Sequence, residues 1–298
     1  MLVNKQTGPL YAFLAYGSWG LLPIYWKFFQ STSPIEVLSH RMLWSLVFLG
    51  VILTLQQRLA ELRKLPRRQV LGLLATALLL SVNWGLYIYG VNTDRVVETS
   101  LGYFINPLVS VMLGFVVLRE RLFRGQQIAV VLATIGVGYF IWQFGAVPWI
   151  ALALAGTFAL YGLLRKMVAV SPMVGLAVET ALMTPVALLM VFYWGATGTG
   201  SFGSSFGLTL LFVGSGVATS MPLLWFNNAA KRLSLATLGF CQYMAPSIQL
   251  ILGVFLYREP FTQTHLVSFS FIWAALLIYS STSLLRPRTI KSNAPRKG

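Results

Sequence analysis

The chain has 298 residues, of which 57% are apolar and only 10% are Asp, Glu, Lys or Arg, against roughly 25% charged in an ordinary soluble domain. That composition excludes a water-soluble globule. The formal charge of +15 would suit a nucleic-acid binder if the cations shared one soluble face, but most fall in short gaps between apolar runs long enough to cross a bilayer, so nucleic acid is excluded as a partner.

Ten apolar spans follow in chain order. The first half holds Gly8 to Phe29, Pro34 to Leu55, Gln69 to Val91, Val96 to Leu118 and Gly125 to Phe144. The second holds Trp149 to Arg165, Gly175 to Trp194, Gly207 to Ala230, Ser234 to Leu256 and Thr262 to Leu285. The first span is too long for the apolar part of a signal peptide, ends in Tyr25-Trp26-Lys27 and has no small-x-small cleavage site, so it is expected to be retained. Connections are short, so successive spans run antiparallel. Sorting Lys and Arg by loop parity puts eighteen on one side and three on the other, which predicts a multi-pass membrane protein with both termini in the cytoplasm. Residues 287–298 form a basic, Pro-containing tail expected to be disordered.

The halves repeat. At an offset of 139, Pro107, Leu113, Gly114, Arg119 and Glu120 match Pro246, Leu252, Gly253, Arg258 and Glu259; at 138, Ser33-Pro34 and Leu38 match Ser171-Pro172 and Leu176. Five spans is an odd number, so the second copy is expected to insert upside down. The predicted fold is therefore an all-α membrane protein, ten transmembrane helices arranged as two inverted five-helix repeats, residues 1–145 and 146–286.

Candidate functional residues follow from cost. A charge in hydrocarbon costs at least about 2.5 kcal/mol at a helix centre and is functional by default. The second span carries Glu36, His40 and Arg41, and the repeat-equivalent of Arg41 is Glu179. Arg41 and Glu179 are expected to be opposed charges on two walls of one cavity, with snorkelling to opposite interfaces as the alternative. Glu36 and His40 share a helix face and are candidates for coupling or gating, as is Glu98, which is also suited to a helix cap. Pro107 and Pro246 are expected helix breaks at equivalent points of the repeat, the feature that marks a midplane site in transporters. Asn106, Gln242, Tyr243 and Gln249 lie near them, and Tyr103 and Gln242 supply the carbonyls the prolines free. The deep aromatics Trp19, Trp84, Tyr87 and Trp225, with Asn83, Asn227 and Asn228, suit an organic solute better than a bare ion. Cys241 sits in an apolar run and supports neither a disulfide nor a metal site.

No HExxH, GxSxG or P-loop occurs, so neither a cofactor nor a metal is expected. The leading expectation is a secondary active permease for a small polar or zwitterionic organic solute, embedded in lipid as monomer or homodimer. An intramembrane enzyme using Glu36, His40 and Arg41, and a non-transporting assembly or sensor protein, are the alternatives.

Several strings carry a resemblance. In the first half they are Trp19-Gly20 to Pro23, Tyr25-Trp26-Lys27, His40-Arg41, Asn83-Trp84 and Ser100 through Leu108. In the second they are Tyr161 through Lys166, Gly175-Leu176, Glu179-Thr180, Leu238-Gly239-Phe240 and Gln242 through Pro246. Together these resemble the RarD branch of the EamA family, in the drug/metabolite transporter superfamily. The resemblance implies a ten-helix permease of the inner (plasma) membrane, with a cavity between helices one to four and six to nine and with helices five and ten peripheral. It implies alternating access for small metabolites, amino acids or drugs, commonly outward, and RarD-like proteins are named for an association with chloramphenicol sensitivity. Carried onto this chain, the cavity positions are Trp19, Arg41, Asn83, Trp84, Tyr103, Asn106, Glu179, Trp225, Gln242 and Tyr243.

Overall fold

The structure, a computed structural model, describes residues 7–93, 95–145, 147–258 and 262–284. Among them every regular element is helical. The elements are α1 (Gly8–Trp26, continued by one 3-10 turn), α2 (Pro34–Leu55), the short α3 (Leu59–Arg63), α4 (Arg67–Asn92), α5 (Val96–Val116), α6 (Arg124–Phe144), α7 (Trp149–Met167), α8 (Pro172–Thr197), α9 (Phe206–Arg232), α10 (Leu235–Gln242), α11 (Met244–Ile251) and α12 (Gln263–Leu284). By length and composition nine segments among the described residues can cross a membrane, α10 and α11 counting as one with the π-helical turn Leu252–Leu256. Helix α1 packs as the tenth but falls outside those nine, because its Gly, Pro, Ser, Tyr and Trp residues dilute its hydropathy. The expected basic tail lies outside the described residues.

Local chemistry sets the ends. Ser33 and Ser171 stand in extended conformation before Pro34 and Pro172, and a proline at the first helical position loses only an N–H that has no intrahelical partner anyway. Gly145 and Gly198 close α6 and α8 in the left-handed region.

The packing repeats as the sequence does. Exchange α1 with α7, α2 with α8, α4 with α9, α5 with α10–α11 and α6 with α12, and the most extensive packed pairs map onto one another, while α7–α9, α5–α6 and α8–α9 have no counterpart of similar extent. Helix α1 on α9 becomes α7 on α4, α2 on α9 becomes α8 on α4, and α5 on α7 becomes α10–α11 on α1. The pairs α2–α8, α5–α10 and α6–α12 map onto themselves. Arg119 and Arg258, matched at offset 139, both adopt φ near +55° (53° and 56°), which is uncommon for a residue with a side chain. Where lipid replaces water, helices associate by close packing. Gly216 shows how close: a Cβ there would stand 2.3 Å from the Trp44 carbonyl carbon.

One expectation fails on one side only. Helix α5 runs unbroken through Pro107, whereas the equivalent span is interrupted at Tyr243, three residues before Pro246, and again by the π turn. A single proline removes one ladder hydrogen bond, and packing of α5 against both α7 and α10 holds its axis together across the gap.

Candidate functional site: two matched half-sites

Glu179, in the first third of α8, is fully buried. Arg165, near the end of α7 and also fully buried, places its Nε 3.5 Å from Glu179 Oε1. Thr76 of α4 donates to the same oxygen at 2.5 Å, and the Tyr161 hydroxyl donates to Oε2 at 3.4 Å. Asn227 of α9 closes the network, accepting from Arg165 Nε at 3.1 Å and donating to Tyr161 at 3.2 Å. Arg165 Nη2 donates to the Pro172 carbonyl at 3.2 Å. The guanidinium fits only because residue 175 is glycine, since a Cβ there would stand 2.1 Å from Nη1. Such a pair is tolerable in a low-dielectric interior only with these extra hydrogen bonds.

Arg41 occupies the equivalent place in α2. Its Nε donates to Thr219 of α9 at 2.9 Å, and its Cζ lies 4.4 Å from the Trp26 ring centroid and 5.4 Å from that of Trp84. The partners correspond by the helix exchange: Trp26 of α1 with Arg165 of α7, Trp84 of α4 with Asn227 of α9, Thr219 of α9 with Thr76 of α4. The surroundings differ. Among the described residues no carboxylate stands within 4 Å of Arg41. Tyr87 and Tyr103, ring centroids 6.4 Å apart, are 40% and 47% exposed, while Arg41 itself is half-buried. That combination describes the wall of a crevice. Its mouth is the end of the bundle where α1 and α4 end and α2 and α5 begin. The second half-site lies at the opposite end and is sealed.

Between them, α2, α4, α8 and α9 enclose a cavity of about 10 Å³, lined among others by Ser45, Trp84, Glu179 and Thr219. It has room for about one water.

Comparison with known proteins agrees with this architecture. A solved crystal structure overlays with a TM-score of 0.72, covering 95% of this chain and 100% of that one at 16% identity, which shows a common fold. The sequence pattern of the EamA-like transporter family matches residues 6–142. Protein RarD of Streptomyces exfoliatus is 44% identical over 96% of this chain and 91% of its own length. Protein RarD of Escherichia coli K12 is 40% identical over 95% and 98%, and the uncharacterized transporter YojE of Bacillus subtilis 40% over 97% and 99%. The chain belongs to the RarD branch of the EamA family.

Of the residues expected to line an EamA cavity, Trp84 and Glu179 line the small cavity itself, and Arg41 and Tyr103 line the crevice with Tyr87. Glu179 lines that space and already has a cationic partner, whereas Arg41 does not line it and bonds to one of its lining residues, Thr219. Asn106 and Gln242 meet at the α5–α10 contact through Ser110, at 3.3 and 3.5 Å. Tyr243 is buried, and among the described residues its hydroxyl has no hydrogen-bond partner. Trp19 packs among Tyr16, Phe158 and Phe226, and its carbonyl accepts from Gln249 at 3.1 Å. Trp225 packs against the main core. Asn83 ties α4 to α7, donating to the Leu154 carbonyl and Thr157 at 2.9 Å, and Asn228 bonds within its own helix and to Arg232.

The coupling candidates are occupied structurally. Glu36 accepts from the N–H groups of Ser201 and Phe202, pinning the loop after α8, and His40 packs against the rings of Phe202 and Phe212. Glu98 accepts from Ile150 N–H at 2.7 Å and caps α7, its cap role. Glu120 caps α10 in the same way through Leu235 and Ala236. Glu179 is thus the buried carboxylate described here that bonds side chains rather than backbone. Arg165, Thr76 and Thr219 were not legible as site residues. Arg165 stands at a helix end and counts as a loop cation, and its offset of 139 from Trp26 is the signal that pairs it with the site.

Proposed function

We propose that this chain is a secondary active transporter that moves a small polar organic solute, zwitterions and drugs included, across the cytoplasmic membrane by alternating access. Its repeats, residues 1–145 and 146–286, are oppositely inserted with both termini in the cytoplasm. The supporting observation is the unequal state of two equivalent half-sites: Trp26, Arg41, Trp84 and Tyr103 stand at an open end, while their counterparts Arg165, Glu179, Asn227 and Gln242 are buried at the other. In an inverted repeat, exchanging the two packings closes one face and opens the opposite one. With the termini inside, the open end faces outward.

The relatives' names support transport, and one 30%-identical relative from Pseudomonas aeruginosa is called chloramphenicol-sensitive protein RarD. Against an acid–base enzyme, Glu36 and His40 are held by the 201–202 loop and aromatic rings, and Arg41 turns to another helix. The test is uptake of radiolabelled amino acids, chloramphenicol and simple organic carboxylates such as phenylacetate into proteoliposomes. Uptake accelerated by unlabelled solute preloaded inside supports the reading, and its absence across the panel rejects it.

A further inference from the structure

We propose that the crevice at Arg41 is a subsite for an organic monocarboxylate with an aromatic or apolar body, a solute that carries no ammonium group. This narrows the transporter reading and rests on it for its biological meaning, but not for its test.

Charge carries the argument. The two half-sites together hold Arg41, Arg165 and Glu179. The Arg165 and Glu179 charges neutralise each other at 3.5 Å, and Thr76, Tyr161, Asn227 and the Pro172 carbonyl hydrogen-bond to the pair, with Arg165 Nη1 left without a partner among the described residues. Glu36, five residues from Arg41 on the same helix, is engaged by two backbone donors of another loop. One positive charge is left over, and it is Arg41. A zwitterion would need an anionic partner for its ammonium, and Glu179 cannot serve without stranding Arg165 in the interior. A dianion would leave one negative charge unmatched.

Geometry carries the rest. Thr219 occupies Arg41 Nε, and among the described residues its two Nη groups make no hydrogen bond, so one edge of the guanidinium fork remains, the edge that grips a carboxylate with two parallel bonds. Trp26 and Trp84 lie close to the guanidinium carbon and, with Tyr87 and Tyr103, present aromatic surface where the body of the solute would lie.

The experiment measures binding to purified full-length protein in nanodiscs by tryptophan fluorescence and by thermal stabilisation. The probes are phenylacetate and octanoate as monoanions, phenethylamine as a cation, phenylalanine as a zwitterion and phenyl phosphate as a dianion. Expected is saturable binding of both monoanions, with the other three at least about tenfold weaker, and a loss of about tenfold or more in Arg41→Gln that Arg41→Lys only partly restores. Failure of both monoanions to bind overturns the proposal, as does tighter binding of phenylalanine or phenethylamine, or monoanion binding unchanged in Arg41→Gln. Should Arg41→Gln not fold, the ranking of the five probes on the natural sequence decides alone. Monoanion binding without any exchange in proteoliposomes would sink the transporter reading and leave this subsite standing; exchange of cations independent of Arg41 would do the reverse.

Discussion

The Arg41 and Glu179 half-sites are built on equivalent helices of the two repeats, yet one is half-buried and singly charged and the other fully buried and neutral overall. At Glu179 the neighbour from the preceding helix is a cation, so the two charges can leave water together. At Arg41 the corresponding neighbour is Trp26, whose ring face stabilises a cation by only about 0.5–2 kcal/mol, so that guanidinium stays near water. A single change of neighbour, Trp for Arg, decides which end of the bundle the protein can seal more firmly.

The sharpest way to break this comparison is chemical access. With Cys241 changed to Ala, Tyr103→Cys is expected to react readily with a membrane-impermeant thiol reagent while Gln242→Cys, its equivalent, stays unmodified. Equal modification of the two would erase the distinction between open and sealed ends. Next in size, Glu179→Leu leaves Arg165 buried without its partner and is expected to cost about 3–5 kcal/mol in unfolding of purified protein. Adding Arg165→Met should recover most of that loss, and no recovery would show that the pair does not act as a unit. Gly175→Ala drives a methyl group into the Arg165 guanidinium and should cost about 1–3 kcal/mol by the same measurement. Smallest is Arg41→Gln, which strands no charge and gives up the Thr219 hydrogen bond and cation–ring contacts, so its unfolding free energy should fall by about 1–2 kcal/mol. An Arg41 variant as unstable as the Glu179 variant would mean the crevice cation is a structural tie.

The residues differ in how openly they announced themselves. Arg41 and Glu179 stood out because a charge deep in an apolar run has no bland explanation. Thr76 and Thr219 did not, because a threonine in such a helix ordinarily bonds to its own backbone a turn back, as Thr54, Thr134, Thr180 and Thr184 do here. Glu36, Glu98 and Glu120 looked alike in one dimension. Only the arrival of a loop or a helix N-terminus made anchors of them. Pro107 and Pro246 match in sequence, yet one span is continuous and the other broken, since a proline frees a carbonyl without dictating whether the neighbouring helices let the axis bend.

Hydropathy, lengths and the two near-equal offsets determined the all-helical membrane architecture and the pairing of equivalent positions, because crossing hydrocarbon is a local demand that each span meets by itself. The partnership of Arg165 with Glu179, the isolation of Arg41, and which half-site is open were decided only when helices from different parts of the chain came together. Burial and ion pairing belong to the space between helices, and no single span contains that space.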